Sequence, residues 1–230
     1  MLTCENLLLQ QGSFSLRADV RFQAGKAVAL IGPSGAGKST LLAAIAGFLT
    51  PVSGRVLWDG MDLTHAAPGD RPVSVLFQDN NLFPHLSAAQ NVGLGLRPDL
   101  RLRADDKAKV AAALHDVGLD GFADRKPSAL SGGQQSRVAL ARVLVADRPV
   151  VLLDEPFGAL GPALKDEMLD LVKAKLVSAG KTILMVTHDP ADAQRMADMA
   201  ALVADGTVSP PVATRDLFSN PPPALKAYLG

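Results

Sequence analysis

Residues 32–39 carry the glycines, the lysine and the hydroxyl that phosphate binding requires. They match the spacing G-x-x-x-x-G-K-[ST] and lie between an apolar strand candidate and a helix candidate. The glycines let backbone N–H groups point at phosphate oxygens, and the helix adds its positive N-terminal end. The lysine reaches the β- and γ-phosphates, and the hydroxyl binds Mg²⁺. The predicted phosphate-binding residues are Gly32, Pro33, Ser34, Gly35, Ala36, Gly37, Lys38 and Ser39.

Two adjacent carboxylates, Asp154 and Glu155, follow the apolar segment 150–153. Two acids at the mouth of a buried strand are costly unless positive charge faces them. We expect Asp154 to lie beside a nucleotide-bound Mg²⁺. Glu155 would point to the other side of the strand and orient the attacking water. The alternative is a solvated acidic strand end, and the phosphate loop argues against it.

The elements that must position these groups alternate between strands and helices. Apolar segments that predict strands lie at 27–31, 73–77, 150–153, 182–186 and 200–204. Helical patterns lie at 39–46, 107–117 and 134–145. This alternation favours a parallel sheet covered by helices. The helical middle of the chain, from about 84 to 148, predicts a lobe inserted into the α/β core.

Composition narrows the class of protein. The 23 basic and 23 acidic residues balance, so no overall basic excess favours nucleic-acid binding. Cys4 is the single cysteine, which excludes an intrachain disulfide and fits a reducing compartment. No run approaches the roughly 18 apolar residues that span a bilayer. We therefore expect a soluble cytosolic protein.

A second candidate anion site precedes the helix that begins near residue 134. Ser131 is suited to cap this helix, and Gly132 and Gly133 leave bare N–H groups at its positive end. An ordinary helix N-cap explains the same residues equally well.

Together these motifs resemble the ATP-binding-cassette (ABC) ATPases. Segments 32–39, 77–79, 130–134, 152–155 and 186–188 occur in that family's order and spacing, within a resemblance that covers about residues 2–205. The resemblance implies an α/β P-loop NTPase (RecA-like) fold with a parallel or mixed sheet core, an inserted helical subdomain and an N-terminal antiparallel β region. The implied single domain, 1–230, divides into a core at 1–83 and 149–208, a helical subdomain at 84–148 and a tail at 209–230.

The resemblance also implies roles for single residues, with ATP and Mg²⁺ as cofactors. Glu155 would be the general base or water-orienting residue, His188 would contact the γ-phosphate, and Gln78 would sense it and join the two lobes. The implied phosphate and metal ligands are Lys38, Ser39, Thr40, Asp154 and Gln78. Residues Ser131, Gly132, Gly133 and Gln134 would cover ATP bound to a second copy in a head-to-tail homodimer.

A short, free-standing cassette resembles the ATPase subunit of a bacterial importer. The implied partners are an integral-membrane permease and, indirectly, a periplasmic substrate-binding protein, which places the chain at the cytoplasmic face of the inner membrane. Leu82 and Phe83 would contact the permease or pack between the lobes. Segments 46–51, 71–78, 80–83 and 89–96 look like the ATPase subunit of thiamine importers. Importers of iron, polyamine or sulfate, and a P-loop kinase or nucleotide switch, are the alternatives.

Two positions depart from the family pattern. Phe14 is the single ring near the start of the chain that could contact adenine, and its register is open. Gly161 stands where relatives carry an aspartate that contacts the opposite protomer, which predicts weaker communication between two ATP sites. The tail, 209–230, is interrupted by prolines and is expected to drape over the surface.

Overall fold

One mixed sheet organises the fold in the computed structural model, which describes residues 1–229. Its strands are β1 (Leu2–Gln11), β2 (Phe14–Phe22), β3 (Ala27–Ile31), β4 (Ser53–Trp58), β5 (Met61–Asp62), β6 (Val73–Leu76), β7 (Val150–Asp154), β8 (Thr182–Val186), β9 (Met199–Ala204), β10 (Thr207–Val208) and β11 (Val212–Ala213). The helices are α1 (Lys38–Ala46), α2 (Ala88–Gly93), α3 (Ala104–Asp116), α4 (Gly132–Ala146), α5 (Pro162–Val172), α6 (Pro190–Met196), α7 (Thr214–Ser219) and α8 (Pro223–Leu229). The strand order is β5-β4-β1-β2-β10-β9-β3-β8-β7-β6, with β11 paired to β9.

The half of the sheet formed by β9, β3, β8, β7 and β6 is parallel, as the alternation of strands and helices predicts. Every residue of β3 and β8 is buried, because helices or further strands cover both faces of a parallel sheet. The predicted bounds of these two strands are confirmed. Strand β7 continues one residue beyond its prediction and ends on Asp154.

The other half of the sheet is antiparallel and contains β1, β2, β4 and β5. Strand β2 alternates buried and exposed positions, which is the pattern of a sheet with one face on the core. Strand β1 carries a bulge between Cys4 and Leu7. The predicted α/β fold, with its mixed sheet and N-terminal antiparallel region, is confirmed.

Two apolar cores lie on opposite faces of the sheet. Alternate residues of β3 face each core, with Ala29 in one and Leu30 in the other. The first core is covered by α2 to α8, and the second is covered by α1 and the antiparallel strands. Within 84–148 the structure has α2, α3 and α4, which pack on one another, and no strand among these residues. The subdomain boundaries remain predictions.

The tail corrects one prediction. Strand β11 and helices α7 and α8 fold back onto the core, and Leu217 and Leu225 are buried there. Prolines separate these two helices, and Leu217 of α7 and Leu225 of α8 each gain free energy by burial. The tail therefore packs onto the core through Leu217 and Leu225 rather than draping over the surface, and Gly230 lies outside the described residues. Among residues 1–229 no helix combines the length and apolar character needed to cross a lipid bilayer.

A buried arginine braces the C-terminal end of α1. The Arg71 side chain is 2% exposed, and its guanidinium donates hydrogen bonds to the backbone carbonyls of Ala44 and Ile45, both at 2.8 Å. It also donates to the carbonyls of Thr64 at 3.1 Å and Ala66 at 3.0 Å. The helix ends at Gly47, where a Cβ atom would lie 2.5 Å from the Arg71 Nε. The arginine thus supplies donors to carbonyls at the end of α1, where intrahelical partners run out, and to two carbonyls of the segment that precedes β6.

We expect Arg71→Met to lower the free energy of unfolding by about 2–4 kcal/mol, because it leaves buried carbonyls without donors. Urea denaturation followed by circular dichroism measures the loss. The matched control is Arg55→Met, which removes an exposed ion pair with Glu5 and should cost less than about 0.5 kcal/mol. Equal losses in the two variants would contradict the bracing role.

Candidate functional site

The phosphate loop connects β3 to α1, as predicted. Its first residue, Gly32, lies so close to β9 that a Cβ atom would be 2.0 Å from the carbonyl oxygen of Val203. A side chain at this position is excluded by the backbone of the neighbouring strand. The glycine therefore lets the loop start against the sheet, which fixes where the following N–H groups lie.

Lys38 is the first residue of α1 and is 6% exposed. Its Nζ donates hydrogen bonds to the carbonyl oxygens of Gly32 at 2.7 Å and Pro33 at 2.8 Å. Burial lowers the pKa of Lys38, whereas the negative charges of Glu155 and Asp154 raise it. The ammonium is thus held inside the loop, partly desolvated, where its attraction to an anion is stronger than in water.

Asp154 lies beside Ser39, the last residue of the phosphate-loop motif. It ends β7, and Ser39 Oγ donates a hydrogen bond of 2.8 Å to its Oδ1. Burial raises the pKa of the Asp154 carboxyl, and the charge of Glu155 adds to this effect. The hydrogen bond from Ser39 and the charge of Lys38 act in the opposite direction. The structure thus brings together a hydroxyl and a carboxylate, two hard oxygen donors.

Glu155 lies beyond the end of the strand and has a left-handed backbone with φ of 43°. Strand alternation is therefore not the reason that Glu155 and Asp154 face different groups, which corrects the sequence argument. The Glu155 N–H donates to the carbonyl of Val186 at 3.0 Å. Its Oε2 lies 3.1 Å from His188 Nδ1. Because a carboxylate only accepts hydrogen bonds, the proton of this contact belongs to the imidazole Nδ1.

Lys38, Ser39 and Glu155 line a pocket of about 270 Å³, whereas Asp154 and His188 contact residues of its wall. It is lined by Gln11, Phe14, Ser34, Gly35, Gly37, Lys38, Ser39, Thr40 and Glu155. Phe14 therefore reaches the phosphate loop from β2, which settles where its ring lies. Gln11, from the end of β1, was not predicted. No local pattern marks it, because it reaches the pocket through the β1–β2 pairing.

Other predicted site residues lie outside this pocket. Gln78 is exposed in the turn after β6. Ser131 caps α4, where its Oγ accepts from the Gln134 N–H at 3.3 Å and its own N–H donates to Gln134 Oε1 at 2.9 Å. Ser131 and Gly132 are exposed, and Gly133 is buried against Leu164. The helix-cap interpretation is thus realised, and the anion-binding role of these residues remains a prediction.

A second surface feature is an open groove of about 560 Å³ beside β6. Its lining includes Phe48, which is 59% exposed, Phe83, which is 47% exposed, and Phe77. Leu82 is half-buried and packs against a core. Leu82 therefore packs inward, as one interpretation of this segment predicts, and Phe83 faces solvent. Contact of these residues with a permease remains a prediction.

The chain is similar to known proteins along its whole length. The family model for "ABC transporter" matches residues 16–158. The thiamine import ATP-binding protein ThiQ of Cereibacter sphaeroides is 60% identical, and that of Ruegeria sp. is 58% identical, each over 100% of both chains. A dimeric structure of the ATP-binding cassette MJ0796, in a post-hydrolysis state bound to ADP and Pi, is 31% identical with a TM-score of 0.79, covering 94% of this chain and 99% of that one. The chain therefore belongs to the ABC transporter family.

Proposed function

We propose that the chain is the ATP-hydrolysing subunit of a bacterial importer, which powers uptake of thiamine or its phosphate esters through a separate membrane permease. The observation that carries the ATPase is the pocket that Lys38 and Glu155 line, with His188 Nδ1 lying 3.1 Å from the Glu155 carboxylate. The cargo rests on similarity alone, because two relatives at 60% and 58% identity are named for thiamine import.

The donor atoms at the pocket fit Mg²⁺. Ser39 Oγ and Asp154 Oδ1 lie 2.8 Å apart, and both are hard oxygen donors. Within residues 1–229 no group of three or more His, Cys, Asp or Glu side chains forms a metal site. A site with so few protein ligands suits Mg²⁺, which keeps waters and binds phosphate oxygens. When bound, the ion supplies positive charge to the phosphates; Gln78 is proposed as a further ligand.

Lys38, Glu155 and His188 have separate roles in the proposed hydrolysis of ATP. Lys38 binds the phosphates as a desolvated cation in the loop. The Glu155 carboxylate orients water for attack on the γ-phosphate and accepts its proton. His188 donates from Nδ1 to Glu155, which fixes the ring and the carboxylate relative to each other. We assign contact with the γ-phosphate to this ring.

The pocket is open, and we propose that a second copy of the chain completes it. Ser131 and Gly132 are exposed at the N-terminal end of α4, outside the pocket that Lys38 lines. In a head-to-tail homodimer, residues 131–134 of one copy would cover ATP on the other. The similar cassette MJ0796 has been solved as a dimer, which supports this arrangement.

The groove beside β6 is the proposed contact with the permease. Phe48 and Phe83 expose aromatic surface there, which a cytoplasmic helix of the permease would cover. This docking would hold the chain at the cytoplasmic face of the inner membrane, with a periplasmic binding protein delivering the cargo from the other side. We expect no nucleic-acid partner.

Deleting the gene should abolish uptake of labelled thiamine at nanomolar concentrations, because ATP hydrolysis by this subunit would drive transport. The wild-type chain should restore uptake, whereas Glu155→Gln should not. Uptake of labelled sulfate, spermidine and ferric iron in the same strain is the control for cargo. If the deletion strain lost uptake of one of these compounds instead of thiamine, the assignment of the cargo would be overturned, whereas the assignment as an ATPase would stand.

Glu155→Gln should keep nucleotide binding and lose about 10²–10⁴-fold in ATPase rate, because the amide cannot accept the water proton. With Mg-ATP this variant should elute from gel filtration as a dimer, since bound ATP is no longer consumed. Glu167→Gln, which alters an exposed carboxylate paired with Arg137, is the control and should hydrolyse ATP like the wild type. A Glu155→Gln variant that stays monomeric with Mg-ATP would count against the ATP-bound dimer.

The variant Gly161→Asp restores the aspartate that relatives carry at this position and tests whether its absence weakens communication between the two ATP sites. Gly161 caps α5 with φ of −63° and ψ of 156°, and a Cβ atom there would meet nothing within 4 Å. Aspartate therefore fits without strain. Because glycine and aspartate are both good N-cap residues, the substitution should change the free energy of unfolding by only a few tenths of a kcal/mol. We expect the ATPase to become more cooperative in ATP, measured as a higher Hill coefficient. An unchanged coefficient would show that the glycine is neutral.

A further inference from the structure

The C-terminal helix α8 reaches the candidate site through one side chain. Tyr228 Oη donates a hydrogen bond of 2.6 Å to the backbone carbonyl of His188. Leu225, one turn earlier in the helix, is fully buried and anchors α8 to the core. Tyr228 is the single tyrosine in the chain and is 40 residues distant from its partner. The contact is therefore a product of tertiary packing.

The segment that carries His188 is also held on its other side. Lys165, on α5, lies 2.6 Å from Asp189 Oδ2 and 2.7 Å from Asp192 Oδ1. Thr187 is buried, and its Oγ1 lies 3.1 Å from Asp192 Oδ2. The residues before and after the histidine are thus fixed by the body of the protein. The carbonyl of His188 itself is held by the tail.

We propose that Tyr228 is a positioning residue for the reaction, because its hydroxyl fixes the backbone of His188 and thereby keeps the imidazole on Glu155. This inference deepens the proposed ATPase function and rests on it. The His188 ring is largely exposed, so packing around the ring does little to fix it. Control of its backbone, together with the contact to Glu155, then sets where the ring lies.

The surroundings of Tyr228 keep its phenol in the donating form. Burial raises the pKa of Tyr228, and the negative charges of Glu155 and Asp189 raise it further. A phenol with a raised pKa keeps its proton, and only the protonated form donates to a carbonyl.

Tyr228→Phe isolates the hydroxyl, because phenylalanine keeps the ring that packs on the core. The chain contains four histidines, whose imidazole signals separate in a ¹H–¹³C NMR spectrum and are assigned by single substitutions. We expect the Tyr228→Phe variant to move the His188 signal and leave those of His65, His85 and His115 in place. Phe218→Leu is the control, since it alters tail packing on α7 and leaves the Tyr228 hydroxyl in place.

The same variants are assayed for ATP hydrolysis. Loss of one hydrogen bond to a reacting segment predicts a fall in kcat of about fivefold in Tyr228→Phe, with KM for Mg-ATP within about twofold. Phe218→Leu should keep the kcat of the wild type. An unmoved His188 signal, or an unchanged kcat, would overturn the positioning role. If the wild-type chain itself does not hydrolyse ATP, the proposed function fails, and the NMR shift still tests whether Tyr228 positions His188.

Discussion

Three neighbouring parallel strands, β3, β8 and β7, end at the same edge of the sheet, and the candidate site depends on that constraint. Strand β3 leads into the phosphate loop, β7 ends on Asp154, and β8 is followed closely by His188. Backbone hydrogen bonds continue past the strand ends, where Glu155 N–H donates to Val186 O at 3.0 Å. The charged groups meet because they follow the carboxyl ends of adjacent parallel strands, which is where ligand sites of open α/β sheets form.

Helix α1 follows the phosphate loop, and a positively charged side chain makes hydrogen bonds at each of its ends. Lys38 occupies its first turn and donates back into the phosphate loop, while Arg71 donates to carbonyls near its last turn. A cation is favourable at a helix C-terminus, whereas at the N-terminus it must be compensated by nearby acids. Asp154 and Glu155 supply that negative charge. The lysine is thus placed where a bound anion gains from both the ammonium and the helix end.

Local patterns predicted the parts of the fold that local chemistry determines. The buried strands β3 and β8 were predicted at their observed bounds because continuous apolar runs between turns leave few alternatives. The tail was predicted wrongly because Leu217 and Leu225 gain their burial only from residues distant in the chain. The pairing of β1 with β2 likewise brings Gln11 to the pocket, and tertiary packing brings Tyr228 to His188. Sequence motifs therefore located the chemical groups, whereas the supporting contacts required the structure.

The left-handed backbone of Glu155 has a consequence for substitutions at this position. A residue with a side chain pays about 1–2 kcal/mol for this conformation, and glycine or asparagine would adopt it at less cost. Either replacement would remove the carboxylate that contacts His188. A substitution that relieves the backbone would therefore remove the group that we propose as the general base. At this position the backbone conformation and the proposed catalytic role therefore favour different residues.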